Sequence, residues 1–337
     1  MWTRFTIEGK TVLVALAATA MLTGCSSRQV LQHDYETAQQ AAKQGDFKAA
    51  AADMSPIVQA NSDDPNAYIA QAYAYFNAGQ DDQAIQDVSR AIDLEPQAAM
   101  YISMRSMLYA RVGRSDLALD DANSVINLAP NTADSYSRRG YIYMTSGNSD
   151  MALADFSQAI KLDPNVALYH LQKGFAYGMQ RRYAEAVQEW NAALRLRPEY
   201  GPAYSALGWL QATCPDPAFR NATQAVENSK RGAELGAPNM LAAIAAASGV
   251  APAGTKPTHY EPGLAWSLDA LAAAYAEAGD FEQAVAVQRQ AIARNNTAPN
   301  PLATKEQALL ALYQQQKPYR ADLSSIVPQL PWIVVPS

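Results

Sequence analysis

Residues 133–166, ADSYSRRGYIYMTSGNSDMALADFSQAIKLDPNV, hold two apolar-periodic runs on either side of Gly147 and close at Pro164. The layout recurs along the chain, with Pro96, Pro130, Pro164 and Pro198 each 34 residues apart. A unit of this length is too small to bury its own apolar face, so its copies must stack to share a core. The chain therefore reads as an array.

Blocks starting at residues 31, 65, 99, 133, 167 and 201 keep one register, without a gap through the first five. The fifteenth column is Gly45, Gly79, Gly113 and Gly147, with Arg181 as the exception. Glycine there permits the positive φ that ends a helix in a tight turn. The twentieth column is Ala50, Ala84, Ala118, Ala152 and Ala186, which predicts a close crossing of two helices. The eighth column is also small (Ala38, Ala72, Ser106, Gly140, Gly174, Gly208), and the twenty-seventh holds Ala91, Val125, Ala159 and Ala193. Tyr75, Tyr109, Tyr143 and Tyr177 in the eleventh column, with Phe156 and Trp190 in the twenty-fourth, supply bulk against these small residues. Proline in the thirty-second column cannot continue a helix and turns the residue before it out of one.

These columns resemble the tetratricopeptide repeat, whose small residues at columns eight, twenty and twenty-seven, Tyr at eleven and Pro at thirty-two are matched over residues 65–200. The resemblance implies an all-α solenoid, a right-handed superhelix of antiparallel helix pairs with a concave face that holds a peptide or a partner's helix. Block 31 keeps Gly45 and Ala50 but has Ser62 where proline is expected, a degenerate first repeat. Block 201 keeps Tyr204 and Gly208, and Thr213-Cys214-Pro215-Asp216-Pro217 lengthens its inter-helix turn by about five residues before Ala225 resumes the pattern. Leu268, Leu271, Ala272, Tyr275, Gly279, Ala284 and Ala291 predict a further repeat.

The expected organisation is a leader over 1–24, a tether over 25–30 and repeats over 31–236. A linker or excursion loop over 237–263, rich in Pro and Gly, follows. Residues 264–320 hold a C-terminal repeat with a capping helix near 304–316, and 321–337 form an apolar, proline-broken tail.

Arg4 and Lys10 precede an apolar run from Thr11 to Met21, too short to span a bilayer, and then Leu22-Thr23-Gly24-Cys25. Leu-Thr-Gly-Cys resembles the bacterial lipobox, which implies cleavage before Cys25, thioether lipidation of its sulfur and N-acylation. Several acyl chains make a stable anchor where one would be marginal. Ser26 after that cysteine, by resemblance to the sorting rule of enteric bacteria, points to the outer membrane, with the protein facing the periplasm.

The net charge of −6 weighs against nucleic acid, whose binders concentrate basic residues on one face. With Cys25 lipidated, Cys214 has no partner for an intrachain disulfide and reads as a partly buried thiol. His33, His170 and His259 form no catalytic or metal-ligating motif, and there is no HExxH, phosphate loop or GxSxG. His170 stands in column four, a packing position, and reads as a hydrogen-bonded core histidine. No cofactor, no metal and no enzymatic activity are expected.

Columns two, five, nine and twelve share one face of the first helix of each pair, the concave face by resemblance to the family. They carry Ile69, Tyr73, Phe76, Met100, Met107, Tyr141, Met144, Leu168, Leu171, Phe175 and Trp209. Such a lining suits an apolar helix or extended segment. It lacks the Lys, Arg and Asn with which family members hold a partner's terminal carboxylate. The chain's own tail is one candidate occupant. The expected function is a membrane-anchored scaffold or adaptor for envelope machinery. The alternatives are an exopolysaccharide-export or secretin and pilus assembly lipoprotein and, of another class, a hydrolase with an unrecognised site.

Overall fold

A computed structural model describes residues 25–236, 262–295 and 303–321. The leader 1–24, linker residues 237–261 and the tail from 322 lie outside the described residues. Every regular element among the described ones is helical. The chain divides into two compact units, with the division in sequence between Arg138 and Arg139.

The first unit contains α1 (Cys25–Lys43), α2 (Phe47–Ala60), α3 (Pro65–Asn77), α4 (Asp81–Leu94), α5 (Ala99–Arg111), α6 (Ser115–Leu128) and the start of α7 (Ala133–Thr145). The tether expected over 25–30 is instead the opening of α1. Cys25-Ser26-Ser27-Arg28-Gln29 contains no glycine or proline to stop the helix there. Asp46 caps α2 by accepting from the Ala49 N–H at 3.0 Å, and Asp64 caps α3 ahead of Pro65, whose missing N–H costs nothing in a first turn.

The second unit contains the rest of α7, α8 (Ser149–Leu162), α9 (Ala167–Met179), α10 (Tyr183–Leu196), α11 (Gly201–Thr213) and α12 (Ala222–Gly236). It continues with α13 (Pro262–Glu277), α14 (Phe281–Asn295) and α15 (Ala303–Gln314). Pro262 and Gly263, expected in the linker, open α13 instead, because proline's fixed φ suits a first helical turn. The turn from α11 to α12 takes eight residues where α9 to α10 takes three, which matches the five-residue insertion. A short 3-10 turn, Pro217–Phe219, lies within it, and Arg220 braces it by donating to the carbonyls of Cys214 (2.9 Å) and Pro215 (3.1 Å). Cys214 is buried rather than partly so.

Apart from α11 and α12, the helices of each pair are joined by the same turn. Gly147 has φ 83°, and Asn148 N–H donates to the Tyr143 carbonyl at 2.8 Å; Arg181 takes φ 59° in the equivalent place, and Arg182 N–H donates to Tyr177 at 3.0 Å. The small columns meet as the spacing predicts. All residues of columns eight, twenty and twenty-seven in blocks 65 to 167 are buried. Ser106 donates its hydroxyl to the Ala118 carbonyl at 2.7 Å, which places column eight against column twenty within a pair. The column-eleven tyrosines are half-buried at the margin of the core rather than inside it.

Candidate partner-binding site

In the first unit the expected lining residues keep part of their surface. Ile69, Tyr73, Phe76 and Met107 are half-buried, and Met100 is 63% exposed. The face is less purely apolar than its columns suggest. The Arg111 guanidinium lies 4.4 Å from the Phe76 ring centre and pairs with Asp81 at 3.1 Å, while Arg138 reaches the Met107 sulfur and the Asp134 carboxylate. Long basic side chains cover apolar surface with their stems and lay their cationic heads over aromatic faces. A segment docking here meets aromatic and thioether groups fringed by arginine.

The second unit treats the same columns differently. Met144, Leu171, Phe175 and Trp209 have no exposed surface and belong to one core cluster, which corrects their expected place in an open groove. Phe175 meets Trp190 edge-on at 5.4 Å, and the Trp190 indole N–H donates to the Leu171 carbonyl at 3.2 Å. Trp209 packs on Trp266 at 4.7 Å. The large rings fill the space into which a partner would have reached. Leu168 and Tyr141 remain half-buried against this cluster, and burial pushes the Tyr141 phenol up to about 12.

A polar column that the apolar reading missed runs beside these faces. Column seven carries Arg105, Arg139 and Lys173, and column twenty-three carries Asp121, Asp155 and Glu189. Arg105 holds Asp121 through two bonds of 2.8 Å, Arg139 holds Asp155 at 2.8 and 2.7 Å, and Lys173 holds Glu189 at 2.9 Å. Each cation also lies over the tyrosine four residues on, at 5.7 Å for Tyr109, 5.8 Å for Tyr143 and 5.7 Å for Tyr177. The constant 16-residue separation of opposite charges was the available signal. Glu189 also accepts from His170 Nδ1 at 2.7 Å, so His170 is tied by a hydrogen bond, half-buried rather than at the core's centre. Burial pushes the Glu189 carboxyl up, but its bonds to His170 and Lys173 outweigh this and hold it below the usual range. Among the described residues no group of three or more His, Cys, Asp or Glu could hold a metal ion, and no helix is long and apolar enough to cross a membrane.

Models of the tetratricopeptide repeat match residues 35–99, 133–166 and 267–297. No curated protein matches the chain in sequence. Among solved structures, a tetratricopeptide repeat protein from Parabacteroides merdae is 16% identical with a TM-score of 0.56, over 85% of this chain and 99% of that one. MamA from Desulfovibrio magneticus is 19% identical with a TM-score of 0.45, over 50% of this chain and 96% of that one. The former is a likeness of fold alone. With three segments matched and the helix pairs, turns and buried small columns in register, the chain is a tetratricopeptide repeat protein.

Proposed function

We propose that the protein is an interaction scaffold that captures a partner's segment on the first-helix face of its first unit, through Tyr73, Phe76, Met100 and Met107. The observation that carries this reading is the exposure of that face. Four aromatic, aliphatic and thioether side chains stay half-open beside a largely exposed methionine. Contiguous apolar groups of this kind are costly in water unless something covers them, and tetratricopeptide arrays bind proteins. The scaffold is tethered to a bacterial envelope membrane by lipid on Cys25, with the outer membrane and the periplasmic side as the proposed location. Leu22-Thr23-Gly24-Cys25 supports that step.

Photocrosslinking probes at Tyr73 and Phe76, with exposed Arg90 as control, test the site in living bacteria. A discrete partner captured from the first two positions and not the third is the expected result; identical patterns from all three would sink the proposed face. Cys25→Ser tests the anchor separately. It should abolish incorporation of radiolabelled palmitate and move the protein out of the membrane fraction, and continued labelling would refute lipidation at Cys25.

A further inference from the structure

The segment after α15 returns across the second unit to the end of α11. Gln316, at φ 56°, turns the chain out of the helix, and Lys317 N–H closes the turn on the Leu312 carbonyl at 3.0 Å. Tyr319 then sets its ring edge-on to Trp209 at 6.0 Å. Arg320 pairs with Glu277 at 2.6 Å and donates to the Ala212 carbonyl at 3.3 Å, and Ala321 N–H donates to the Thr213 carbonyl at 3.1 Å.

The receiving surface has the makings of a site for an extended chain. A helix normally supplies each carbonyl with the N–H four residues on. Pro215 and Pro217 remove that donor for Gln211 and Thr213, so the end of α11 presents acceptors that its own helix cannot satisfy. Asn221 N–H takes the Gln211 carbonyl at 3.0 Å. The Ala212 and Thr213 carbonyls are left to the returning segment. Beside them Glu277 is a carboxylate poised for a cation, with Arg220 at 3.4 Å on its other oxygen. Trp209 supplies the aromatic floor, fully buried, with its indole N–H finding no acceptor among the described residues. The chain's own segment thus fills the site and leaves only that indole N–H without an acceptor among the described residues.

We infer that Lys317–Ala321 is a pseudo-ligand, held in a second binding site that takes a partner's extended segment bearing an aromatic residue followed by a basic one. The backbone of such a segment meets the carbonyls at the end of α11, its ring meets Trp209, and its cation meets Glu277. Partner and pseudo-ligand compete, so the tethered copy lowers the apparent affinity for any free segment. The inference rests on the proposed scaffold role only for the existence of a natural competitor. The site itself is tested with purified protein, apart from the crosslinking face of the first unit.

The probe is a fluorescein-labelled peptide of the sequence Gln-Gln-Lys-Pro-Tyr-Arg-Ala, measured by anisotropy against the full chain and against full-length Tyr319→Ser/Arg320→Ser. The substituted chain should bind it at least tenfold more tightly than the wild type, and adding Glu277→Gln should remove most of that gain. Equal binding by both chains, no binding by a substituted chain of native helicity, or indifference to Glu277→Gln would each overturn the inference. Amide exchange of Ala321 in the wild-type protein provides a second readout if the substituted chain does not fold. A displaceable segment exchanges by local opening, well ahead of the α11 and α13 amides. Exchange at the global rate would make the segment a fixed part of the fold and refute its role as a pseudo-ligand.

Discussion

The two units solve one packing problem with opposite choices of side chain. In the repeats from 65 and 99 of the first, column eight is Ala72 and Ser106 and column twenty-four is Val88 and Ala122, although the degenerate repeat from 31 sets the buried Met54 in that column. In the second, column eight shrinks to Gly140 and Gly174 while column twenty-four grows to Phe156 and Trp190. The exchange is steric: a Cβ on Gly140 would lie 2.8 Å from the Phe156 ring and one on Gly174 only 2.4 Å from the Trp190 indole nitrogen. Large rings in the second unit then give Leu171 and Phe175 something to pack against, and both lose all exposure. Their column mates Ile69 and Tyr73 in the first unit have only small neighbours in these columns and stay half-open. Position in the repeat sets the direction of a side chain, and the volume behind it decides whether that direction ends in water.

The strongest way to break this contrast is to remove the bulk. Trp190→Ala should cost about 3–5 kcal/mol by opening a cavity and dropping the bond to the Leu171 carbonyl. Val88→Ala at the same column should cost about half as much or less. Urea unfolding read together with amide exchange of each unit checks this, since a stacked array need not unfold in one step. Equal losses at the two sites would mean that column twenty-four does not distinguish the units.

Gly174→Ala sharpens the same point at a smaller scale. It should destabilise by about 1–3 kcal/mol, because the added methyl runs into Trp190. Combining it with Trp190→Val rebuilds the Ala–Val pair of the first unit, and the double substitution should cost less than the sum of its parts by about 0.5–3 kcal/mol. Simple additivity would show that the two positions do not share one space.

Much of this is legible in the sequence. The 34-residue register locates the helix pairs, the turn at Gly147 and the longer turn beyond Thr213 unaided, because periodicity and φ requirements act locally. The burial of Leu171, Phe175 and Trp209 is not legible from columns alone, since it depends on rings contributed from elsewhere in the unit, such as Trp190 and Trp266. Nor is the returning segment at Tyr319 and Arg320, whose partners in α11 lie about a hundred residues back in sequence, with Glu277 nearer, and show no periodicity that would link them.

The charged column yields the finest contrast, and it lies wholly within the first unit. Asp121 has Arg105 opposite it, whereas Asp87, one repeat earlier, has Gln71, which turns away to the Ala51 carbonyl at 2.9 Å and the Ser55 hydroxyl at 2.8 Å. The Asp87 Oδ2 is buried without a hydrogen bond among the described residues, and burial pushes its carboxyl up to about 7. A carboxyl raised in the folded state binds a proton more tightly there than in the unfolded chain. Its contribution to stability is therefore present in full below the ordinary value of 3.8, is lost as pH rises towards about 7, and changes no further above that. Asp87→Asn removes this loss, so it should leave stability unchanged near pH 4 and raise it by on the order of 1 kcal/mol at pH 8, after allowance for solvent screening at a half-buried site. Asp121→Asn should do the reverse at pH 8, since it strips the Arg105 guanidinium of its partner at a place that is only partly wet. Urea midpoints of both variants against the parent at pH 4, 6 and 8 separate the two cases. Destabilisation by Asp87→Asn at pH 8 would show that Asp87 is paired in solution after all, and that the first unit carries its ion pairs through every repeat from residue 65.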